Sequence, residues 1–194
     1  GTLINNLRST NYIIPLLRGL IFLPMPFLAF LCLKNITLPE YTTLNMTTPI
    51  FGAIISLLYL KEKMNHYIYI SILMGVVGVI LVIQPGFKNF NFFYLLVLLS
   101  AFLITINIMI VNKYNNVTTP IGYFIYGGIF THFLSWILFL FDPIIIELGY
   151  FFLITIASIA INLAIGFMVL AFQRSSRYFG SLNCLIYIQI FWSL

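Results

Sequence analysis

Long apolar stretches alternate with short polar breaks along nearly the whole chain. About 20 helical residues, rising 1.5 Å each, match the roughly 30 Å hydrocarbon core of a bilayer. Continuous runs such as YIYISILMGVVGVILVI do not alternate between apolar and polar residues, which favours helices over barrel strands. The pattern therefore predicts an all-α, multi-pass membrane bundle of seven visible segments: 12–33, 40–60, 66–84, 92–111, 119–141, 149–172 and 178–194.

Composition agrees with a chain that lies in lipid. Of the 194 residues, 62% are hydrophobic and only 7% are charged, whereas a soluble surface needs about a quarter charged residues. The net charge of +5 is assigned to membrane topology and not to a nucleic-acid partner. Cys32 and Cys184 both lie inside apolar runs, which supports neither a disulfide nor a metal site. No cofactor is predicted.

The positive charges predict an orientation. If the first segment runs from side one to side two, seven cations fall on side one and two, Lys34 and Lys88, on side two. The positive-inside rule then places side one and the N-terminus in the cytoplasm. The richness in Phe, Ile, Tyr and Asn is typical of AT-rich codons and indicates a bacterial inner membrane. The side-one cations are Arg8, Arg18, Lys61, Lys63, Lys113, Arg174 and Arg177.

A weak internal repeat divides the chain into 1–85 and 86–194. A shift of 138 residues lays Thr43-Leu44-Asn45 on Ser181-Leu182-Asn183 and sets Pro49 opposite Tyr187. The charge argument puts the two copies in opposite orientations, as in transporters with inverted repeats. The same shift implies two helices before residue 4 and one after the last residue. We therefore expect two inverted five-helix repeats, incomplete in this sequence.

The second segment carries polar residues at mid-depth, where each polar group must find a partner. Asn45, Thr47, Thr48 and Pro49 together predict a helix that faces a cavity. A simpler interpretation stays open, in which the threonines bond to carbonyls of their own helix and the proline is a tolerated kink. Because the repeat pairs Asn45 with Asn183, these two amides are the first candidates to contact a ligand.

Further candidate site residues are Arg18, His132, Asn162 and Tyr187. Arg18 lies about one turn inside the first segment, where it either snorkels to the cytoplasmic surface or serves a substrate or gating role. His132 either carries a proton or bonds in its neutral form to a neighbouring helix. No acidic residue lies deep in an apolar segment, which favours an exchanger or a facilitator. Pro24 and Pro26 predict a kink in the first segment.

The segment from Leu17-Arg18-Gly19 to the helix with Gly75 and Gly78 resembles helices three to five of the EamA-type drug/metabolite transporters. The similarity includes Pro49 and the run 60–63 (LKEK), and AFQRSSRYFGSLNCLIYIQIFWSL is similar to helices eight and nine. The resemblance implies ten helices, a start on the cytoplasmic side, and a metabolite cavity between the repeats. The sequence shows no catalytic constellation, phosphate loop or nucleic-acid patch, so we predict that the protein is not an enzyme. Within the family the chain is most similar to bacterial S-adenosylmethionine uptake transporters, whose cationic substrate would suit aromatic walls. The alternative functions are an exporter of amino acids or drugs and a non-transporting membrane assembly or sensing subunit. A homodimer is a candidate assembly in each case.

Overall fold

The computed structural model describes residues 7–61, 66–83, 91–141, 147–175 and 178–185. Within these ranges every regular element is helical, and one isolated β-bridge pairs Ser9 with Thr118. This confirms the all-α, multi-pass fold class. In chain order the elements are α1 (Ile13–Phe22), α2 (Pro24–Leu33), α3 (Leu38–Asn45), α4 (Thr48–Ile55), a π-helical turn (Ser56–Leu60), α5 (His66–Ile83), α6 (Phe92–Lys113), α7 (Pro120–Phe141), α8 (Leu148–Arg174) and α9 (Phe179–Cys184).

Five stretches of the described chain are long and apolar enough to cross a membrane. They are Ile13–Leu33, Leu38–Leu60, Phe92–Lys113, Pro120–Phe141 and Leu148–Arg174. Five of the seven predicted segments are thereby found as candidate spans. The seventh is described only as far as residue 185, so most of it lies outside the described residues.

Proline interrupts both of the first two spans. In the first, helix α1 ends at Phe22 and α2 begins at Pro24, with Leu23 between them in helical conformation, and the kink stays a prediction. In the second, α3 ends at Asn45 and Pro49 lies in the first turn of α4. Proline lacks an N–H donor and is tolerated at the start of a helix, because the donors there have no intrahelical partner. The two spans are therefore discontinuous helices.

Helix α6 is the hub of the bundle and packs against α1, α2, α3, α4 and α8. Its two ends show that it runs parallel to the second span. Tyr94 Oη donates to Glu40 Oε1 at 2.7 Å near the start of both, and Lys113 Nζ donates to Tyr59 Oη at 2.6 Å near the end of both. This is the direction that alternating crossings of the membrane require.

Candidate functional site

The guanidinium of Arg18 lies inside the bundle, and the residue is only 6% exposed. Its Nε donates to Asn107 Oδ1 at 2.9 Å, and its Nη1 donates to the carbonyl oxygen of Tyr123 at 2.6 Å. Asn107 Nδ2 in turn donates to the carbonyl oxygen of Arg18 at 2.9 Å. These bonds connect α1 to α6 and α7. The Arg18 side chain therefore lies within the bundle, and its substrate or gating role stays a prediction.

Glycines allow α1 and α7 to approach closely enough for these bonds. A Cβ atom at Gly19 would lie 2.8 Å from the carbonyl oxygen of Tyr126 and 3.0 Å from that of Gly127. A Cβ atom at Gly127 would collide with Nη1 of Arg18. Small residues at such a contact let membrane helices meet through their backbones. Gly127 therefore makes room for the guanidinium itself.

Arg18 borders a cavity of about 190 Å³ between α1, α2, α6 and α8. Most of its wall is aliphatic, aromatic or thioether, and Arg18 and Asn107 are the polar residues on it. A mostly apolar cleft with a few polar groups is typical of a small-molecule site. The remaining lining residues are Phe22, Met25, Ile104, Ile108, Val111, Ile165, Met168, Val169 and Phe172.

A second cavity of about 50 Å³ shares Arg18, Phe22 and Ile165 with the first. His132 and Asn162 also line it. Arg18, His132 and Asn162, each singled out separately in the sequence, thus come together at one place. We call the two adjoining spaces the Arg18 cavity.

Two of these side chains bond within their own helices. His132 Nδ1 lies 2.7 Å from the carbonyl oxygen of Gly128, one turn earlier in α7. Among the described residues, His132 therefore bonds within its own helix and not to a neighbouring one. Asn162 Nδ2 donates to the carbonyl oxygen of Ser158 at 2.8 Å, and Asn162 is exposed. Both residues consequently keep side-chain atoms that the described protein does not engage.

Asn45 and Asn183 lie elsewhere: Asn45 is the last residue of α3, and Asn183 lies at the contact of α4 with α9. Asn183 is fully buried and packs on Gly52, whose added Cβ would lie 2.6 Å from Asn183 Cγ. Its Nδ2 donates to the carbonyl oxygen of Phe179 at 2.9 Å. The Oδ1 atoms of Asn45 and Asn183 are buried and have no hydrogen-bond partner in the described part of the chain. Neither residue lines the Arg18 cavity, and their ligand-binding roles stay predictions.

The sequence left two interpretations open for the threonines of the second span, a helix that faces a cavity or bonds to carbonyls of their own helix, and the two residues differ. Thr48 Oγ1 donates to the carbonyl oxygen of Asn45 at 2.7 Å, as the simpler interpretation expects. Thr47 Oγ1 is buried and has no partner among the described residues. Tyr187, the remaining candidate, lies outside the described residues.

Sequence reasoning missed the importance of Asn107 and Tyr123. Asn107 is one of several amides inside apolar runs, and nothing in the sequence pairs it with Arg18, 89 positions away. Tyr123 contributes a backbone carbonyl, which any residue carries. No cluster of three His, Cys, Asp or Glu side chains able to hold a metal ion is found among the described residues.

Of three comparisons with known proteins, one finds a match, and this match covers part of the chain. No curated protein and no solved structure matches it significantly. A family model matches the part of the chain that forms α1 to α5, which includes Arg18, Phe22 and Met25 of the cavity wall. The cavity residues on α6 and α8 lie outside the matched part. Residues 4–84 match the model of the EamA-like transporter family.

Proposed function

We propose that the protein moves a small metabolite across a bacterial inner membrane by alternating access, with S-adenosylmethionine as the leading candidate substrate. The observation that carries the proposal is the Arg18 cavity, a mostly apolar space between spans with a buried cation on its wall. The EamA-like domain at residues 4–84 supports the same class of activity. In this proposal the N-terminal end of the first span is cytoplasmic.

The lining of the cavity suits such a substrate in part. Phe22 and Phe172 present aromatic rings, and aromatic faces attract sulfonium or ammonium groups by roughly 0.5 to 2 kcal/mol. The volume of about 190 Å³ is smaller than the roughly 300 to 1,000 Å³ of cavities that enclose drug-sized ligands. We therefore expect the walls to move apart when the whole substrate enters.

The discontinuous spans provide places where such movement can occur. The breaks at Leu23 and at Met46–Thr47 interrupt the first and second spans beside the cavity and beside α9, respectively. Broken helices near the centre of the membrane are a common element of secondary transporters. We propose that Asn45 and Asn183 become substrate contacts when the α4–α9 contact opens, and that the two chain halves, 1–85 and 86–194, move relative to each other.

Uptake of radiolabelled S-adenosylmethionine into proteoliposomes tests the function. We expect the protein to give saturable uptake above that of protein-free liposomes. Protease protection or labelling of both faces must first show that the protein is inserted. The absence of flux for S-adenosylmethionine and for other labelled metabolites, in correctly inserted protein, would reject the transporter proposal.

A further inference from the structure

We infer that Arg18 binds a carboxylate group of the transported molecule, so that the substrate class is a small molecule that carries a carboxylate, as S-adenosylmethionine does. The inference rests on the proposed function, because it assigns a ligand to the same cavity. It goes further in naming the chemical group that Arg18 recognises and the residues that hold Arg18 in place for it.

Arg18 carries a positive charge that no acidic residue in the described ranges balances. A guanidinium carries five N–H donors, and the two bonds that it makes here go to the side-chain oxygen of Asn107 and the backbone oxygen of Tyr123. Both acceptors are neutral. None of the acidic residues in the described ranges pairs with Arg18: Glu40 bonds to Thr37 and Tyr94, and Glu147 lies at the start of α8.

A buried charge without a counter-charge is unfavourable, and proteins ordinarily pair such groups. Arg18 is 94% buried, lines both spaces of the cavity, and retains N–H donors beyond the two that are engaged. An anionic group in the cavity would neutralise the cation and accept these remaining bonds. The positive charge of Arg18 is therefore balanced only when an anion lies in the cavity.

Charge and shape favour a carboxylate over a phosphate. A phosphate ester carries about 1.5 to 2 negative charges at neutral pH, and Arg18 is the one Lys or Arg on the described walls of the cavity. The planar guanidinium matches the two oxygens of a carboxylate. His132 is the other ionisable side chain that faces the smaller space. The aliphatic walls around Arg18 suit an apolar body attached to the carboxylate.

Asn107 and Tyr123 act as positioning residues in this arrangement. Asn107 bonds to both the side chain and the backbone of Arg18, at 2.9 Å in each case. The guanidinium is thus held in one orientation before any ligand arrives, which reduces the entropy lost on binding.

A matched pair of probes tests the inference on the purified full-length protein. The probes are 4-methylpentanoate and its uncharged amide, 4-methylpentanamide, and the readout is ligand-induced thermal stabilisation over a concentration series. We expect the carboxylate to bind the unmodified protein and the amide to bind roughly 10- to 100-fold more weakly, because bonds to a charged group are lost. Arg18→Gln should remove this preference. Arg174→Gln, an exposed arginine at the end of α8, is the matched control and should retain it.

Two further variants keep the test decisive if Arg18→Gln does not fold. Arg18→Lys retains the charge and loses the planar donor set, so it should weaken carboxylate binding while leaving some preference over the amide. Ile165→Phe narrows both spaces of the cavity with Arg18 intact and should weaken binding of the carboxylate. Equal binding of acid and amide, or full carboxylate binding in Ile165→Phe, would overturn the inference.

The transport assay separates this inference from the proposed function. If labelled S-adenosylmethionine is not taken up but 4-methylpentanoate still binds through Arg18, the proposed substrate is wrong and the carboxylate site stands. If uptake occurs at an unchanged rate and KM in folded Arg18→Gln protein, the transporter stands and the carboxylate site is wrong.

Discussion

Asn107 and Asn183 are two buried amides in apolar helices, and the structure uses them differently. They are 3% and 0% exposed, respectively. Asn107 engages both ends of its amide with Arg18 on another helix. Asn183 bonds with Nδ2 to its own helix, and its Oδ1 has no partner in the described chain. Although both asparagines lie in apolar helices, Asn107 therefore holds Arg18 in place at the cavity, and Asn183 packs in a contact between helices.

Asn107 and Asn183 also differ in the empty volume that adjoins each side chain. Asn107 borders the 190 Å³ part of the Arg18 cavity, whereas Asn183 lies against the backbone of Gly52. A polar group can contact a ligand only where a volume adjoins it. In the state described here the Arg18 region meets this condition, and the α4–α9 contact would have to open to meet it.

The largest expected effect comes from removing the amide of Asn107, and Asn183 provides the comparison. Asn107→Leu should lower the free energy of unfolding by about 3 kcal/mol, because a guanidinium N–H is left buried without its acceptor. Asn183→Leu should change it by less than about 1 kcal/mol, since loss of one bond is offset by removal of an orphan oxygen. Denaturant unfolding in detergent measures both values. Equal losses would contradict the distinction between the two regions.

A smaller effect is expected from Gly52→Ala. The added Cβ would lie 2.6 to 2.9 Å from Cγ, Nδ2 and Cβ of Asn183, and overpacking costs about 1 to 3 kcal/mol. Part of this loss is offset by the helix propensity of alanine, which is about 1 kcal/mol better than that of glycine. Gly166→Ala is the control because its Cβ would meet no atom within 4 Å. A stable Gly52→Ala protein would show that α4 and α9 separate readily.

The smallest effect is expected at the start of the second span. Glu40 accepts from the backbone and side chain of Thr37 at 2.8 and 2.7 Å and from Tyr94 at 2.7 Å. Glu40→Gln should lower the free energy of unfolding by about 0.5 to 1 kcal/mol, because water can replace the weakened bonds. Glu147→Gln, which caps no helix with its side chain, should have no measurable effect. If Glu40→Gln lowered the free energy of unfolding as much as Asn107→Leu does, solvent access would not explain why the two sites differ in their contribution to stability.

Most of the helical architecture was predictable from sequence. In lipid every backbone N–H and C=O must be satisfied within the chain, so a sufficiently long apolar run becomes a helix. Pro24 and Pro49 further marked the places where the first two spans break, because proline cannot donate to the preceding turn. The predicted five-helix repeats stay predictions, since the similarity of 43–45 to 181–183 says nothing about helices outside the described residues.

The sequence by itself determined which residues are polar within the spans, including Arg18, His132 and Asn162. Only the tertiary structure decided that these three meet at one cavity, that Asn107 holds Arg18, and that Asn183 packs on Gly52. The physical reason is that hydropathy depends on one residue and its neighbours along the chain, whereas partners and empty volume depend on which helices pack together. That packing is decided by close contacts such as those of Gly19 and Gly127 between α1 and α7.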